Sequence, residues 1–298
     1  MLEHSAPMSL SRLPRCRPAS DVHALRSTFP WAQHGKSREG RRASCAVVGS
    51  SDILRIDPRG VEIDQHDMVF RLNNAPTAGW ESAVGSKTSL RVVNHVPLEK
   101  WIKLNSNRSA LMHTADGEEY ESLLCAPNAA PLGCLVSRMH AGSTIRKTVL
   151  TYQSRFPSHR VALTSEPLHH WSLACNNELR GSSPSGGLLA VLLALATCDG
   201  PVSLYGFWPF CCSRVMRTST ELNYKYFQGN RTRFVCCSRG RERMEVEYAF
   251  YEVLARRGLL ALVTPPKEFL WARESVRGIH AVGHTPKTQY RAHTGPVT

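Results

Sequence analysis

A turn of small residues opens the most apolar stretch of the chain. Ser185, Gly186 and Gly187 stand before a run of leucine and alanine that ends at Asp199. Leucine and alanine favour a helix, and Ser183 or Ser185 can cap its first turn. The first turn of a helix offers unpaired N–H groups and the positive end of the helix dipole, and glycines let an anion approach the backbone. The turn is therefore a phosphate site or only a helix cap.

A second small-residue turn follows the first predicted strand. Residues 44–48 are mostly apolar and predict a buried strand, after which come Gly49 and Ser50. In open α/β sheets a nucleotide binds at the carboxyl ends of the strands. His95 follows another predicted strand at the same edge, where a histidine is either a proton-transfer group or a structural residue.

The remaining elements predict an α/β fold with a mostly parallel central sheet and helices on both faces. A short strand is expected from Val202, directly after the apolar helix. Further predicted strands are 68–73, 90–94, 110–113, 160–164 and 259–263, and the predicted helices are 143–156, 187–198 and 243–257.

Length and composition predict one globular domain with tails. The chain has 298 residues, of which 42% are hydrophobic, enough to bury a sizeable core. We expect a basic, disordered segment over 1–43, the domain over 44–265, and a tail over 266–298. The formal charge of +13 favours an anionic partner such as a nucleotide, nucleic acid or membrane surface. The basic arm lacks aromatic stacking residues in a pattern, so we expect no nucleic-acid partner.

The cysteine content does not decide in which cellular compartment the protein resides. None of the ten cysteines belongs to a pair of C-x-x-C motifs, which argues against a structural zinc site. One or two disulfides in a secretory protein fit this content. Against that, the sequence shows no apolar run of 18 residues and no hydrophobic core of a signal peptide near its start.

Several motifs, in this order, resemble the eukaryotic sialyltransferases, glycosyltransferase family 29, and most closely their alpha-2,8 branch. Cys45 to Gly49 and residues 60–73 and 84–88 resemble the family's long motif, and residues 182–199 and 205–210 resemble its short motif. The resemblance spans roughly residues 44–263.

This resemblance implies a Rossmann-like fold, the sialyltransferase variant of the GT-A class. It implies transfer from CMP-sialic acid to a glycoprotein or glycolipid acceptor, without cofactor or metal, by a Golgi membrane protein. The absence of an Asp-x-Asp motif is compatible with a reaction that needs no metal. The family's disulfide maps to Cys45 and Cys198, which are otherwise two buried thiols.

The donor-binding residues that the resemblance implies are largely present. Asn73 matches an asparagine that contacts the nucleotide, whereas Ser50 and Gly186 replace a family asparagine and threonine. The full set of implied donor-site residues is Gly49, Ser50, Asn73, Ser185, Gly186, Gly187, Tyr205, Gly206, Phe207, Trp208 and Tyr224.

The two histidines that act in the family's catalytic mechanism are both replaced in this sequence. In the H-x4-E motif, Glu247 is kept and the position of the catalytic histidine is Glu242, so the resemblance implies these two as the catalytic residues; in the H-Y-Y motif, the histidine position is Tyr224. Glu242 is either a carboxylate base or a solvated first-turn acid. Lys225 can replace the phosphate-facing histidine electrostatically, or it belongs to a solvated basic loop. The chain is therefore either a sialyltransferase-like enzyme or a non-catalytic relative that binds CMP, a glycan or a protein partner.

Overall fold

The computed structural model describes residues 43–104, 125, 132–136, 143–164, 184–207, 225–227 and 242–263. Within these ranges, seven strands alternate with helices. The strands are β1 (Cys45–Val48), β2 (Met68–Leu72), β3 (Leu90–Val93), β4 (Cys134–Val136), β5 (Val161–Leu163), β6 (Val202–Tyr205) and β7 (Ala261–Leu262). The helices are α1 (Ile53–Ile56), α2 (Gly60–Gln65), α3 (Glu81–Val84), α4 (His95–Leu104), α5 (Ser143–Arg155), α6 (Gly186–Thr197) and α7 (Glu242–Arg256).

All strand pairs of this sheet are parallel, in the order β5-β4-β3-β2-β1-β6-β7. The chain runs outward from β1 to β5 and returns to the other side of β1 with β6. The order of strands therefore reverses between β1 and β6. In open α/β sheets such a reversal leaves a crevice at the carboxyl ends of the two strands, where ligands bind.

Alternate residues of each strand pack against different helices, as expected for a sheet covered on both faces. Val47, Phe70 and Leu90 share a buried cluster with α6 and with Tyr248, Tyr251 and Leu254 of α7. Ala46, Val48 and Val69 pack on the other face with residues of α1 to α3. Helix α6 is buried from Leu188 to Thr197, which explains why its sequence is apolar all round.

The structure confirms the predicted fold class and most of the predicted elements. Helices α5, α6 and α7 begin and end within one residue of the predicted bounds. The three-residue strand β4 and the helix α4 were not predicted. The predicted strand 110–113, the N-terminal segment before residue 43 and the C-terminal tail 266–298 lie outside the described residues. No helix in the described part of the chain is long and apolar enough to cross a membrane.

Two disulfides lie at the amino ends of strands. Cys45, the first residue of β1, is bonded to Cys198 directly after α6, which is the pairing that the resemblance implied. Cys125 is bonded to Cys134 at the start of β4, a pairing that the sequence did not predict. The first bridge ties the central strand to the end of the buried helix across 153 residues of chain.

The turn between α3 and β3 is held by a buried cation and a carboxylate. Arg71, which is 1% exposed, donates hydrogen bonds to the carbonyl oxygens of Val84, Gly85 and Lys87. The carboxylate of Asp64 accepts the N–H groups of Ser86 and Lys87 at 2.8 and 2.9 Å. Burial by itself raises the pKa of Asp64, but these hydrogen bonds outweigh it and hold the pKa below its ordinary value.

Asp64→Asn is expected to lower the stability of the fold in a pH-dependent way. A carboxyl group whose pKa is lowered by folding stabilises the native state above its unfolded pKa, near 3.8, and that stabilisation is lost as the pH falls through the lower folded value. Thermal unfolding of both proteins should therefore show a gap in Tm at pH 7 that narrows below about pH 4. A gap that stays constant across this range would contradict the role given to the carboxylate.

Candidate functional site

The ends of β1 and β6 meet so closely that only glycine fits. A Cβ atom placed on Gly49 would lie 2.4 Å from the carbonyl oxygen of Gly206. The N–H of Gly49 donates to the carbonyl oxygen of Tyr205 at 2.7 Å. Gly206 has a positive φ of 68°, and a Cβ there would collide with Leu54. Gly49 and Gly206, both predicted to lie in the donor site, therefore lie at the crevice where the strand order reverses.

The start of α6 lies beside this crevice and is capped by two residues. Ser185 is the N-cap, and its Oγ accepts the N–H of Leu188 at 3.0 Å. The hydroxyl of Ser185 donates to the carboxylate of Glu247 in α7, and the Ser185 N–H donates to the same carboxylate at 2.8 Å. Glu247 is 3% exposed. The Ser185 hydroxyl thus donates its hydrogen bond to a protein side chain, that of Glu247. Through this contact Glu247 positions the first turn of α6.

Two N–H groups remain at the start of α6. Gly186 and Gly187 occupy the first two helical positions, whose N–H groups have no partner within a helix. A Cβ on Gly187 would lie 3.2 Å from the ring of Phe207 and 3.8 Å from the Leu72 side chain, so this turn approaches both β6 and β2. Among the described residues, nothing lies within 4 Å of a Cβ placed on Gly186. The start of α6 therefore presents two N–H groups that have no partner within the helix.

Asn73 ends β2 in a constrained conformation. Its φ of 48° is in the left-handed region, which asparagine tolerates better than most residues. Buried Arg91 donates to the carbonyl oxygens of Asn73 and Ala75 at 3.1 and 2.9 Å and so fixes this turn. The Oδ1 atom of Asn73 accepts the N–H of Asn94 at 3.0 Å. With Oδ1 engaged, the amide N–H₂ of Asn73 is the end of the side chain that can bind an anion.

Asn94 is a candidate site residue that the sequence did not single out. It follows β3 as Asn73 follows β2, and its side-chain Oδ1 is buried without a hydrogen-bond partner among the described residues. A buried acceptor of this kind needs a partner, and a bound ligand with an N–H or O–H group can supply it. The adjacent His95 is the first residue of α4. The repeated asparagine after two neighbouring strands is the sequence feature that could have pointed to this position.

Residues 225–227 cover the turn after β1. The N–H of Tyr226 donates to the carbonyl oxygen of Ser50 at 3.0 Å, and the Tyr226 hydroxyl donates to the carbonyl oxygen of Pro76. The Tyr226 ring packs edge-on against Trp80 with centroids 5.4 Å apart. These contacts hold Lys225 next to the turn at Ser50, with its Nζ 5.2 Å from the centre of the Phe227 ring.

Tyr205 contributes its backbone to this crevice, whereas its side chain points to the other face. The hydroxyl donates to Glu62 at 2.9 Å and lies 3.0 Å from Nε2 of His66. Burial, and then the contact with Glu62, raise the pKa of Tyr205. Donor binding by its ring remains a prediction.

Other predicted residues lie at the limits of the described chain. Glu242 is the first residue of α7, about 7.5 Å along the helix axis from Glu247, and the orientation of its side chain is not described. Trp208 and Tyr224 lie outside the described residues. Among the residues that are described, no group of three or more metal-ligating side chains is found.

These groups converge on one edge of the sheet and have complementary chemistry. The N–H groups at the start of α6 and the amide of Asn73 suit an anion, and Oδ1 of Asn94 suits a hydrogen-bond donor. The glycines at the ends of β1 and β6 allow these two strand ends to approach each other closely. Such an arrangement can bind a phosphate-bearing ligand with a polar ring.

Comparison with known proteins identifies the family. Residues 15–259 match the model of glycosyltransferase family 29 (sialyltransferase). The chain belongs to this family. It is 35% identical over 186 residues to the rice sialyltransferase-like protein 2, covering 56% of this chain and 46% of that protein. It is 31% identical over 163 residues to a chimpanzee CMP-N-acetylneuraminate-beta-galactosamide-alpha-2,3-sialyltransferase, covering 55% and 44%.

The chain thus aligns with less than half the length of these two relatives. A solved mammalian sialyltransferase superposes with a TM-score of 0.51 at 20% identity, covering 89% of this chain and 82% of that one. At this level of identity the structural likeness supports the shared fold. For a family 29 sialyltransferase domain, the crevice at β1 and β6 and the start of α6 are the candidate donor site.

The coupling between Ser185 and Glu247 can be measured by a double-mutant cycle. Glu247→Ala leaves the buried donors of Ser185 without an acceptor and should lower the free energy of unfolding by about 1–3 kcal/mol. Ser185→Ala, which removes the cap, should cost about 1 kcal/mol. In the double variant the losses should overlap by at least about 0.5 kcal/mol, because both remove the same contact. Strictly additive losses in denaturant unfolding would show that the two side chains do not interact.

Proposed function

We propose that the chain is a sialyltransferase-like enzyme. It moves sialic acid, or a related 2-keto sugar, from a CMP donor to a hydroxyl group of a glycan with inversion. The observation that carries the proposal is the start of α6 in a family 29 domain: its first two residues are Gly186 and Gly187, and a Cβ on Gly187 would lie 3.8 Å from the side chain of Leu72, the residue before Asn73.

The donor would bind with its phosphate at the start of α6. The helix dipole and the two glycine N–H groups favour the negative charge, and no metal is needed for a monophosphate held in this way. Asn73 donates its amide N–H₂, and Asn94 offers its buried Oδ1 to the nucleoside or the sugar. Lys225 supplies a positive charge beside the turn at Ser50.

In the reaction, the acceptor oxygen attacks the anomeric carbon and forms the new glycosidic bond. The bond between that carbon and the phosphate oxygen breaks, and CMP leaves with the electron pair. Glu242, at the family's histidine position, takes the proton of the acceptor hydroxyl. The N–H groups of α6 and the cation of Lys225 stabilise the charge on the departing CMP.

The acceptor is proposed to be a glycoprotein or glycolipid. One of the solved family structures contains Gal-beta-1-3GalNAc-ortho-nitrophenol, with a TM-score of 0.50 and 19% identity to this chain. A terminal galactoside is therefore the first acceptor to test. The chimpanzee relative is likewise named for a beta-galactosamide acceptor.

We further propose that the protein matures in the Golgi. The two disulfides, Cys45–Cys198 and Cys125–Cys134, support this location because structural disulfides form and persist in oxidising compartments. Family membership supports it as well.

A non-catalytic relative that binds CMP, a glycan or a protein partner is the second candidate. The replacement of both family histidines, at Glu242 and Tyr224, is the observation that favours it. The two candidates share the donor site and differ only in turnover.

Glu242→Gln distinguishes the two candidates. If Glu242 is the base, the variant should release CMP from CMP-sialic acid, with a galactoside acceptor present, at least about 100-fold more slowly. The rise in Tm produced by CMP should be at least as large as in the wild type, because the variant removes a negative charge that would repel the anionic nucleotide. Glu245→Gln, a few residues further along α7, is the matched control.

Three other results have separate meanings. Stabilisation by CMP without CMP release on any galactoside, sialoside or glycolipid acceptor would support the non-catalytic relative. Full activity in Glu242→Gln would remove that residue from the mechanism. If CMP does not raise the Tm at all, the donor site itself is wrong.

Lys225→Gln tests the proposed phosphate contact. The variant should bind CMP about tenfold more weakly, because a charged hydrogen-bond partner of the phosphate is lost, while its affinity for uncharged cytidine should be the same as in the wild type. Lys225→Arg should retain most of the difference in affinity between CMP and cytidine that the wild type shows. Isothermal titration with both ligands provides the comparison, and an equal loss for CMP and cytidine would contradict a contact with the phosphate.

A further inference from the structure

Among the described helices, positive charge is highest on two neighbours, α4 and α5. Together their sequences contain five lysines and arginines and one acid, Glu99. Helix α7 contains four glutamates and two arginines, and α6 contains no charged residue. Arg55 of α1 and Arg59, which precedes α2, pair with nearby carboxylates. The described helices therefore differ in the charge that they carry.

Helices α4 and α5 lie side by side on one face of the sheet. Leu98 of α4 and Ile145 and Val149 of α5 are buried in the same cluster with Val93 of β3. The Oγ1 of Thr148 donates to Glu99 at 3.3 Å, and the guanidinium of Arg155 donates to the carbonyl oxygen of Ile102 at 2.9 Å. Because both helices turn their apolar sides to the sheet, their opposite sides form one continuous outer surface.

We call this surface the α4–α5 face; it consists of Val96, Lys100, Lys103, Arg146, Lys147 and Leu150. All six residues are exposed. Val96 is 43% and Leu150 57% exposed, and these are two of the four large hydrophobic residues found exposed among the described residues. Glu99 faces α5 through its bond with Thr148. The face therefore combines cations with protruding aliphatic side chains and contains no acid.

We propose that the α4–α5 face docks on a bilayer that contains anionic phospholipid. Lysines and arginines near a membrane surface are attracted by acidic headgroups, and each basic side chain adds to the free energy of membrane binding. Aliphatic side chains between them can enter the boundary between headgroups and acyl chains, while the stems of lysine and arginine lie along it. An acidic polysaccharide would use the cations but would gain nothing from Val96 and Leu150. The aliphatic residues thus favour the bilayer.

This docking leaves the proposed donor site open. The crevice lies at the carboxyl edge of the strands, whereas α4 and α5 cover one face of the sheet. A bilayer against the α4–α5 face would therefore run alongside the sheet. It would hold the crevice near the membrane surface, within reach of a glycan attached to a membrane component.

The test uses the full chain and vesicles of phosphatidylcholine with and without phosphatidylserine. Co-sedimentation should show binding to vesicles that contain phosphatidylserine. Arg146→Gln/Lys147→Gln should weaken that binding about tenfold or more. The matched control is Arg256→Gln/Arg257→Gln, which removes the same charge at the exposed end of α7 and should change binding less than about twofold. Leu150→Ser should weaken vesicle binding without changing retention on a heparin column.

Several outcomes would overturn the proposal. If the two double variants lose vesicle binding to the same extent, the overall charge of +13, and not this face, governs binding to the vesicles. No difference between the two kinds of vesicle would rule out anionic lipid. Retention on heparin that depends on Arg146 and Lys147, without vesicle binding, would assign the face to an acidic polysaccharide. The Tm of each variant should stay close to that of the wild type because all of these side chains are exposed; if one variant unfolds, Lys100→Gln/Lys103→Gln tests the same face from α4.

Discussion

The carboxylate of Glu247 is one group through which α7, the last helix among the described residues, acts on the candidate donor site. It is buried and accepts both the N–H and the hydroxyl of Ser185, which caps α6. A buried carboxylate is tolerated because these donors and the positive end of the α6 dipole offset its desolvation. Tyr251, one turn further along α7, is fully buried beside it, and burial followed by the charge of Glu247 raises the Tyr251 pKa. The geometry of the α6 turn therefore depends on how α7 packs.

The two edges of the sheet are stabilised by different interactions. At the amino edge, the covalent bridge between Cys45 and Cys198 fixes β1 to the end of α6, and Cys134 is bridged at the start of β4. At the carboxyl edge, the turns are held by hydrogen bonds, such as those of Arg91 to the Asn73 turn and of Tyr226 to Ser50. Hydrogen-bonded turns can adjust to a ligand by small movements, whereas the bridged edge constrains the chain. The candidate site thus lies at the edge where the described turns are held by hydrogen bonds and not by covalent bridges.

Features that depend on local sequence could be predicted, and those that depend on distant contacts could not. The apolar run of α6 and its cap are local; the helix was predicted, and the cap at Ser185 is one of the two positions that were predicted. The partner of that cap is 62 residues away, and no periodicity links the two. The side chain of Tyr205 follows the alternation of β6 to the opposite face, where it finds Glu62 and His66. Strand β4 was not predicted, whereas β5, which is also three residues long, lies within the longer β-type run 160–164 that was predicted.

The replacement of histidine by Glu242 reverses the electrostatics of the proposed proton transfer. A histidine base is neutral before the reaction and becomes a cation beside the departing CMP, so proton transfer itself stabilises the leaving group. A glutamate base is an anion beforehand and becomes neutral, so it repels a bound donor and offers no cation afterwards. An enzyme with this exchange needs fixed positive charge elsewhere. The N–H groups of α6 and Lys225, held next to Ser50 by Tyr226, are the groups at this edge that can provide it.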